Sequence, residues 1–155
     1  MPSVEGGGVE KNFFIISNYL ATKLDKVYLI TAENNLSKKI KNIKIVYPRS
    51  NFWRNKARFR KYIICVFLLI KILLKNRNIL VFTFQANLYA ILVCKLFRIK
   101  VISRSNSSPS GWSKNFIKNY IYKIGLNLAD TIIVNSIEFK QEMKKKFSIN
   151  ATHIY

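Results

Sequence analysis

Acidic side chains are what this sequence has least of. Seven Asp and Glu stand against 27 Lys and Arg in 155 residues, a formal charge of +20, and no acid occurs between Glu33 and Asp130. With so few acids, and with one histidine, His153, that has no partner carboxylate nearby in the sequence, neither a Ser-His-Asp arrangement nor a paired-carboxylate site can be assembled. The two cysteines, Cys65 and Cys94, lie inside apolar segments and have no partner at metal-ligand spacing. They read as buried thiols of a reducing compartment, and no metal site is expected. The N-terminus offers Pro, Ser, Glu and Gly where a secretory leader has a basic start and an apolar run, so a cytoplasmic protein is expected. The most apolar run, residues 62–74, is about two-thirds of the ~20 residues of a membrane-spanning helix. It also contains Lys71, which makes it a buried or half-buried helix. Internal repeats and low-complexity tracts are absent as well.

What remains is half apolar, enough for one domain with its own core. The positive field attracts anions of any kind: nucleic acid, an anionic membrane surface, or phosphorylated sugars. The joint abundance of Ile, Lys, Asn, Phe and Tyr also fits an AT-rich coding sequence, in which case part of the charge is a solvated surface without a partner. A basic nucleic-acid-binding module is the second reading. Against it, the aromatics fall largely on apolar helix faces and strands, where core packing is expected rather than base stacking.

Three of the five glycines stand together at Gly6, Gly7 and Gly8 and run straight into a periodic segment. Val9, Phe13, Ile16, Leu20 and Leu24 share one helix face there. Residues 27–32 follow as a short apolar strand, so the order is glycine turn, helix, strand, as in a nucleotide-binding α/β unit. After a polar loop, residues 43–47 alternate into a second strand nearer an edge. The apolar helix of residues 62–74 leads to residues 79–84, a continuous apolar strand of the central, doubly covered kind. A helix from Gln85 to about Phe97 and a strand at residues 100–103 come next. The polar loop from Arg104 to Trp112 then lies at the carboxyl end of a strand, where open α/β sheets place their ligand crevice. Beyond it, Ile117, Tyr120, Ile121, Ile124 and Leu128 form a face expected to pack on the sheet. Residues 129–135 give a strand, Ser136 is placed to cap a helix, and Phe139, Met143 and Phe147 follow at four-residue spacing. The fold class is α/β, a Rossmann-like mainly parallel sheet with helices on both faces.

The stretches GGGVEK, SRSNSSP and ADTIIVNS, in that order, resemble the N-terminal domain of family 4 glycosyltransferases. These are enzymes of the GT-B architecture with two facing Rossmann-like domains. Gly7, Gly8, Val9, Glu10 and Lys11 match the family's opening turn, which usually follows a strand. The resemblance therefore implies a chain whose first strand is cut off at Met1 and whose second, donor-binding domain would follow Tyr155. It also implies that omitting that central strand leaves residues 27–32 and 79–84 without a shared neighbour, a marginal fold. Retaining members hold the nucleotide sugar through two glutamates seven residues apart in that second domain, whereas Glu138 and Glu142 are only four apart. The implied activity is sugar transfer from a nucleotide sugar, the co-substrate, to a glycan or lipid-linked acceptor, with no cofactor and with this domain alone inactive.

Such chemistry needs positive or dipolar groups for the departing diphosphate and an acceptor held in line. Gly7 and Gly8 let backbone approach phosphate at a helix N-terminus; the alternative is a tight turn only. Glu10 complements the helix dipole. Arg104 and Asn106 are the candidates for anion and sugar-hydroxyl contact. Gln85 at the end of a strand and Ser136, a cap first, are further substrate-binding candidates. Arg54, Lys56, Arg58, Arg60 and Lys61, with Phe52, Trp53 and Phe59 among them, form a basic and aromatic stretch suited to an anionic membrane surface on the inner face; a solvated loop is the alternative.

Overall fold

The computed structural model describes residues 8–33, 42–50, 52, 58–84 and 87–154. They fall into two compact units divided between Lys75 and Asn76. The first contains α1 (Gly8–Lys23), β1 (Tyr28–Ile30), β2 (Lys44–Val46) and α2 (Arg58–Lys75). The second contains β3 (Leu80–Thr83), α3 (Asn87–Leu96), β4 (Lys100–Ser105), a 3-10 turn (Pro109–Gly111), α4 (Phe116–Asn127), β5 (Thr131–Val134), α5 (Ile137–Phe147) and β6 (Thr152–His153). The fold is α/β and Rossmann-like, with parallel sheets and alternating helices.

In the first unit β1 and β2 run parallel, Leu29 opposite Ile45. The pairing extends through Thr31 N–H to Val46 O at 3.1 Å and Lys44 N–H to Val27 O at 3.0 Å. Leu29, Thr31 and Ala32 are buried, and α2 packs on β1. The buried edge of α1 is Glu10, Phe13 and Ser17. It is rotated by about half a residue step from the stripe the apolar periodicity predicts. Leu24 lies beyond the helix end and is exposed, because Lys23 closes the helix. The apolar helix is half-buried as expected: α2 buries Leu69 and Leu73 but exposes Phe59, Ile63, Phe67 and Leu74.

The second unit is organised on a four-stranded parallel sheet of order β3-β4-β5-β6. β4 pairs on both sides, Val101 opposite Val81 and Ser103 opposite both Phe82's neighbour Thr83 and Ile132. The burial of β4 alternates, with Val101, Ser103 and Ser105 on the covered face. α3 packs on β3 and β4, and α5 on β5 and β6. Ile91, Cys94, Val101, Leu126, Val134, Met143 and Phe147 form the core; burying each large aliphatic or aromatic side chain contributes about 1.5–3 kcal/mol.

Three expectations need correction. Among the described residues β3 pairs on one side only, and Leu80 is exposed, where a central strand covered on both faces was expected. The expected lack of a neighbour shared by residues 27–32 and 79–84 stands apart from these three, since no described strand pairs with both β1 and β3. The apolar face of α4 does not pack on the sheet. The helix's main described neighbours are α3 and α5, and it buries only the narrow edge of Gly125 and Leu126. Gly125 permits the close approach to α3, since a Cβ there would lie 2.6 Å from Leu88 Cδ2. Nor do the aromatics serve mainly as core. Phe13, Phe84 and Phe147 are buried, whereas Phe59, Phe67, Phe116 and Tyr120 are exposed.

One scarce carboxylate ties three elements of this unit. Asp130 Oδ2 accepts from the Val101 N–H at 2.8 Å and from Lys95 Nζ at 3.0 Å, while the Asp130 N–H donates to Val101 O at 3.0 Å. The Val101 amide foremost, then the Lys95 ammonium, holds the Asp130 carboxyl below its ordinary value of 3.8. A depressed pKa means stabilisation that is complete above 3.8 and lost as pH falls through the lower folded value. Asp130→Asn should lose about 1–2 kcal/mol of stability at neutral pH in urea denaturation of the full-length protein. It should also flatten the acid limb of the stability profile. An unchanged urea midpoint would contradict this role.

Candidate functional site

The carboxyl ends of β3, β4 and β5 meet at one end of the second unit. Parallel pairing puts Arg104 opposite Ile133 and Ser105 opposite Val134, so the residues following β5 lie beside those ending β4. Arg104 belongs to the strand itself rather than to the loop, because β4 runs to Ser105. Its Nε donates to Asn135 Oδ1 at 3.1 Å, which fixes the plane of the guanidinium, and burial pulls its pKa down. Asn106 Nδ2 donates to Phe84 O at 3.0 Å, bridging the ends of β4 and β3. Among the described residues no donor reaches the buried Asn106 Oδ1, nor the hydroxyl of the fully buried Ser103. Such acceptors are costly to leave unmatched, and Asn106 Oδ1, at the sheet end, is the one of the two placed for a hydroxyl-bearing ligand. Ser136 caps α5 as expected, accepting from the Phe139 N–H at 3.2 Å.

The loop after β4 is held by α5. Glu142 Oε2 accepts from the Ser108 hydroxyl at 2.5 Å and from the Ser110 N–H at 3.1 Å. One turn on, Lys146 Nζ donates to Pro109 O at 2.8 Å and Ser113 O at 3.1 Å. Trp112 closes the loop: its Nε1 donates to Ser107 Oγ at 2.9 Å and its ring stacks on Phe147 at 5.7 Å. A serine-rich segment is thereby fixed by one carboxylate, one ammonium, the buried Pro109 and the Trp112 ring.

Arg104, Asn106 and Ser136 thus come together at one sheet end. Gln85 and Gly7 lie outside the described residues, as do Arg54 and Lys56. Gly8 is in the other unit, the first residue of α1, and a Cβ on it would meet nothing within 4 Å. Neither conformation nor packing requires glycine there, so any requirement would come from a ligand. Arg58 starts α2 and Arg60 is exposed. Lys61 instead turns to Glu33 Oε1 at 3.2 Å, with its side chain only 14% exposed. Glu142, Lys146 and Asn135 were not singled out from the sequence. The four-residue step from Glu142 to Lys146 on a helix was the available signal. Among the described residues no group of three or more His, Cys, Asp or Glu could hold a metal ion.

A polar loop at the carboxyl ends of parallel strands is where open α/β sheets place their ligand crevice. Residues 6–155 match glycosyltransferase family 4, and the chain belongs to that family. Its fold is similar to that of HepE from Anabaena, solved in complex with UDP. The TM-score is 0.65 and the identity 14%, over 99% of this chain and 42% of that one. The chain thus spans less than half the length of that structure. No curated protein matches the sequence.

Glu142 is bound as the carboxylate. The Ser108 hydroxyl first, then the Ser110 amide, holds its pKa below the ordinary 4.5. The loop's attachment should therefore be complete above 4.5 and lost as pH falls through a lower value. Trp112 emission, read in a Trp53→Phe background, should titrate with a midpoint below 4.5, and Glu142→Gln should abolish that transition. A midpoint at or above the ordinary value would contradict the attachment.

Proposed function

We propose that this family 4 domain is the acceptor-side half of an enzyme that moves a sugar from a nucleotide-sugar donor to a glycan or a lipid-linked acceptor. In this reading a second domain binds most of the donor, and the present domain alone is inactive. The observation that carries it is the convergence of Arg104, Asn106 and Ser136 on a loop held by Glu142 and Lys146. Asn106 Oδ1 would accept from an acceptor hydroxyl while its amide stays on Phe84 O. Arg104 would meet a phosphate or a sugar oxygen, its plane already set by Asn135. Ser136 would complete the rim, joined by Gln85, which follows β3 in the sequence. Gly7 and Gly8 would admit a phosphate to the start of α1, where helix amides point outward. Preorganisation of this kind acts by orientation, which is where transferases of neutral acceptors gain much of their rate.

A lipid-linked acceptor places the enzyme at a bilayer. The basic start of α2 supports contact with an anionic surface, through Arg58 and Arg60 together with Arg54 and Lys56. Along the same helix the exposed Phe59, Ile63 and Phe67 accompany exposed Lys71 and Lys75. Lys61 contributes less, being held by Glu33. No described helix is long and apolar enough to cross a membrane.

The test is transfer of radiolabelled sugar from a panel of nucleotide sugars to lipid-linked and free glycan acceptors by the full-length protein. Arg104→Gln and Asn106→Ala should each lower kcat/KM for the acceptor on the order of tenfold or more. Gly8→Ala should leave the urea midpoint unchanged but raise KM for the donor. Full activity in the Arg104 and Asn106 variants would remove this crevice from the reaction.

A further inference from the structure

We infer that α4 is a second, separate membrane-docking element, whose apolar face enters the headgroup and acyl-chain boundary of an anionic bilayer. Phe116 is 83% exposed, Ile117 67%, Tyr120 and Ile121 56% each, and Ile124 49%. At about 100° per residue these five side chains occupy one continuous arc of roughly 140°. The opposite edge, Gly125 and Leu126, is the buried one. Lys123 borders the arc on one side and Lys118 on the other, with Lys114 just before the helix; all three are exposed. An isolated exposed leucine calls for no explanation, but five large apolar groups on one helix do.

The flanking charge selects the occupant. Aliphatic side chains need an apolar medium beneath them, and lysines on both margins need anions at the level of the helix axis. An anionic leaflet supplies those two layers in that order, and lysine stems can span them. A second copy of this chain would bring lysine against lysine, with no acid between Glu33 and Asp130 to relieve them. Tyr120, with an apolar ring and a polar tip, also suits the boundary. The stretch at the start of α2 lies in the other unit and carries exposed apolar groups of its own, Phe59, Ile63 and Phe67, beside its basic side chains. The two are therefore separable by substitution, each helix in turn.

Full-length protein would be co-sedimented with vesicles of phosphatidylcholine alone and of phosphatidylcholine with phosphatidylglycerol, at low and high salt. The combined variant Phe116→Ser, Ile117→Ser, Ile121→Ser, Ile124→Ser replaces exposed groups only, and circular dichroism checks its fold. Binding to the anionic vesicles should fall on the order of tenfold or more in this variant, and more steeply with salt than in wild type. Wild type should keep measurable binding at high salt. Lys114→Gln, Lys118→Gln, Lys123→Gln should remove the preference α4 confers for anionic vesicles. Equal sedimentation of the serine variant and wild type, or no binding by wild type, would overturn the proposal. So would lipid-free dimerisation of wild type that the serine variant abolishes, since the face would then be covered by a second copy. Transfer to a detergent-dispersed acceptor, read on the same samples, should survive in the serine variant. Failure of docking with transfer intact overturns this proposal alone. Absence of transfer with vesicle binding intact removes the transferase reading and leaves this one.

Discussion

Parallel pairing of β4 on both of its sides is the constraint from which the second unit follows. Six residues, Lys100–Ser105, are held in register between β3 and β5. With side chains alternating every residue, that register decides what is core and what is site. Val101, Ser103 and Ser105 turn to the covered face, and Arg104 is left on the other, level with the end of β5. A slip of one residue would bury the guanidinium and expose Val101. Asp130 guards against such a slip, since it grips the Val101 amide from the start of β5 and Lys95 from the end of α3.

The few acids in so basic a chain are largely committed to structure. Glu10 is buried in the first turn of α1, Glu33 holds Lys61, Asp130 holds Lys95 and a strand amide, and Glu142 fixes the crevice loop. Glu138 sits in the first turn of α5, held below its ordinary pKa chiefly by Ser136. The lysines divide into two kinds. Lys61, Lys95 and Lys146 have internal partners, and those beside α4 and along the outer side of α2 face solvent. A net charge of +20 is thus partly architecture and partly surface.

The alternation of helix and strand was legible because apolar periodicity reports it directly, and the Ser136 cap because a serine before a helix has one common use. What periodicity does not report is which apolar face is covered. The α4 stripe reads as core from its spacing, yet the helix lies against α3 and α5 and leaves that stripe outside. In α1 the buried edge is shifted toward Glu10 and Ser17, which an apolar pattern cannot anticipate. Arg104 was found by residue type but misplaced in a loop, since strand ends are set by pairing with β5 rather than by local propensity. Glu142 and Lys146 escaped notice because their partners, the Ser108 hydroxyl and backbone atoms of the loop, lie 32 to 37 positions away in the chain.

The central claim is that the crevice at the ends of β3, β4 and β5 receives the acceptor. Hydrogen–deuterium exchange of the full-length protein, with and without a saturating lipid-linked or glycan acceptor, tests it most directly. Protection should concentrate on residues 104–113 and on Asn135 and Ser136, and should be lost in Asn106→Ala. Protection confined to other segments, with these residues exchanging as in the free protein, would contradict it.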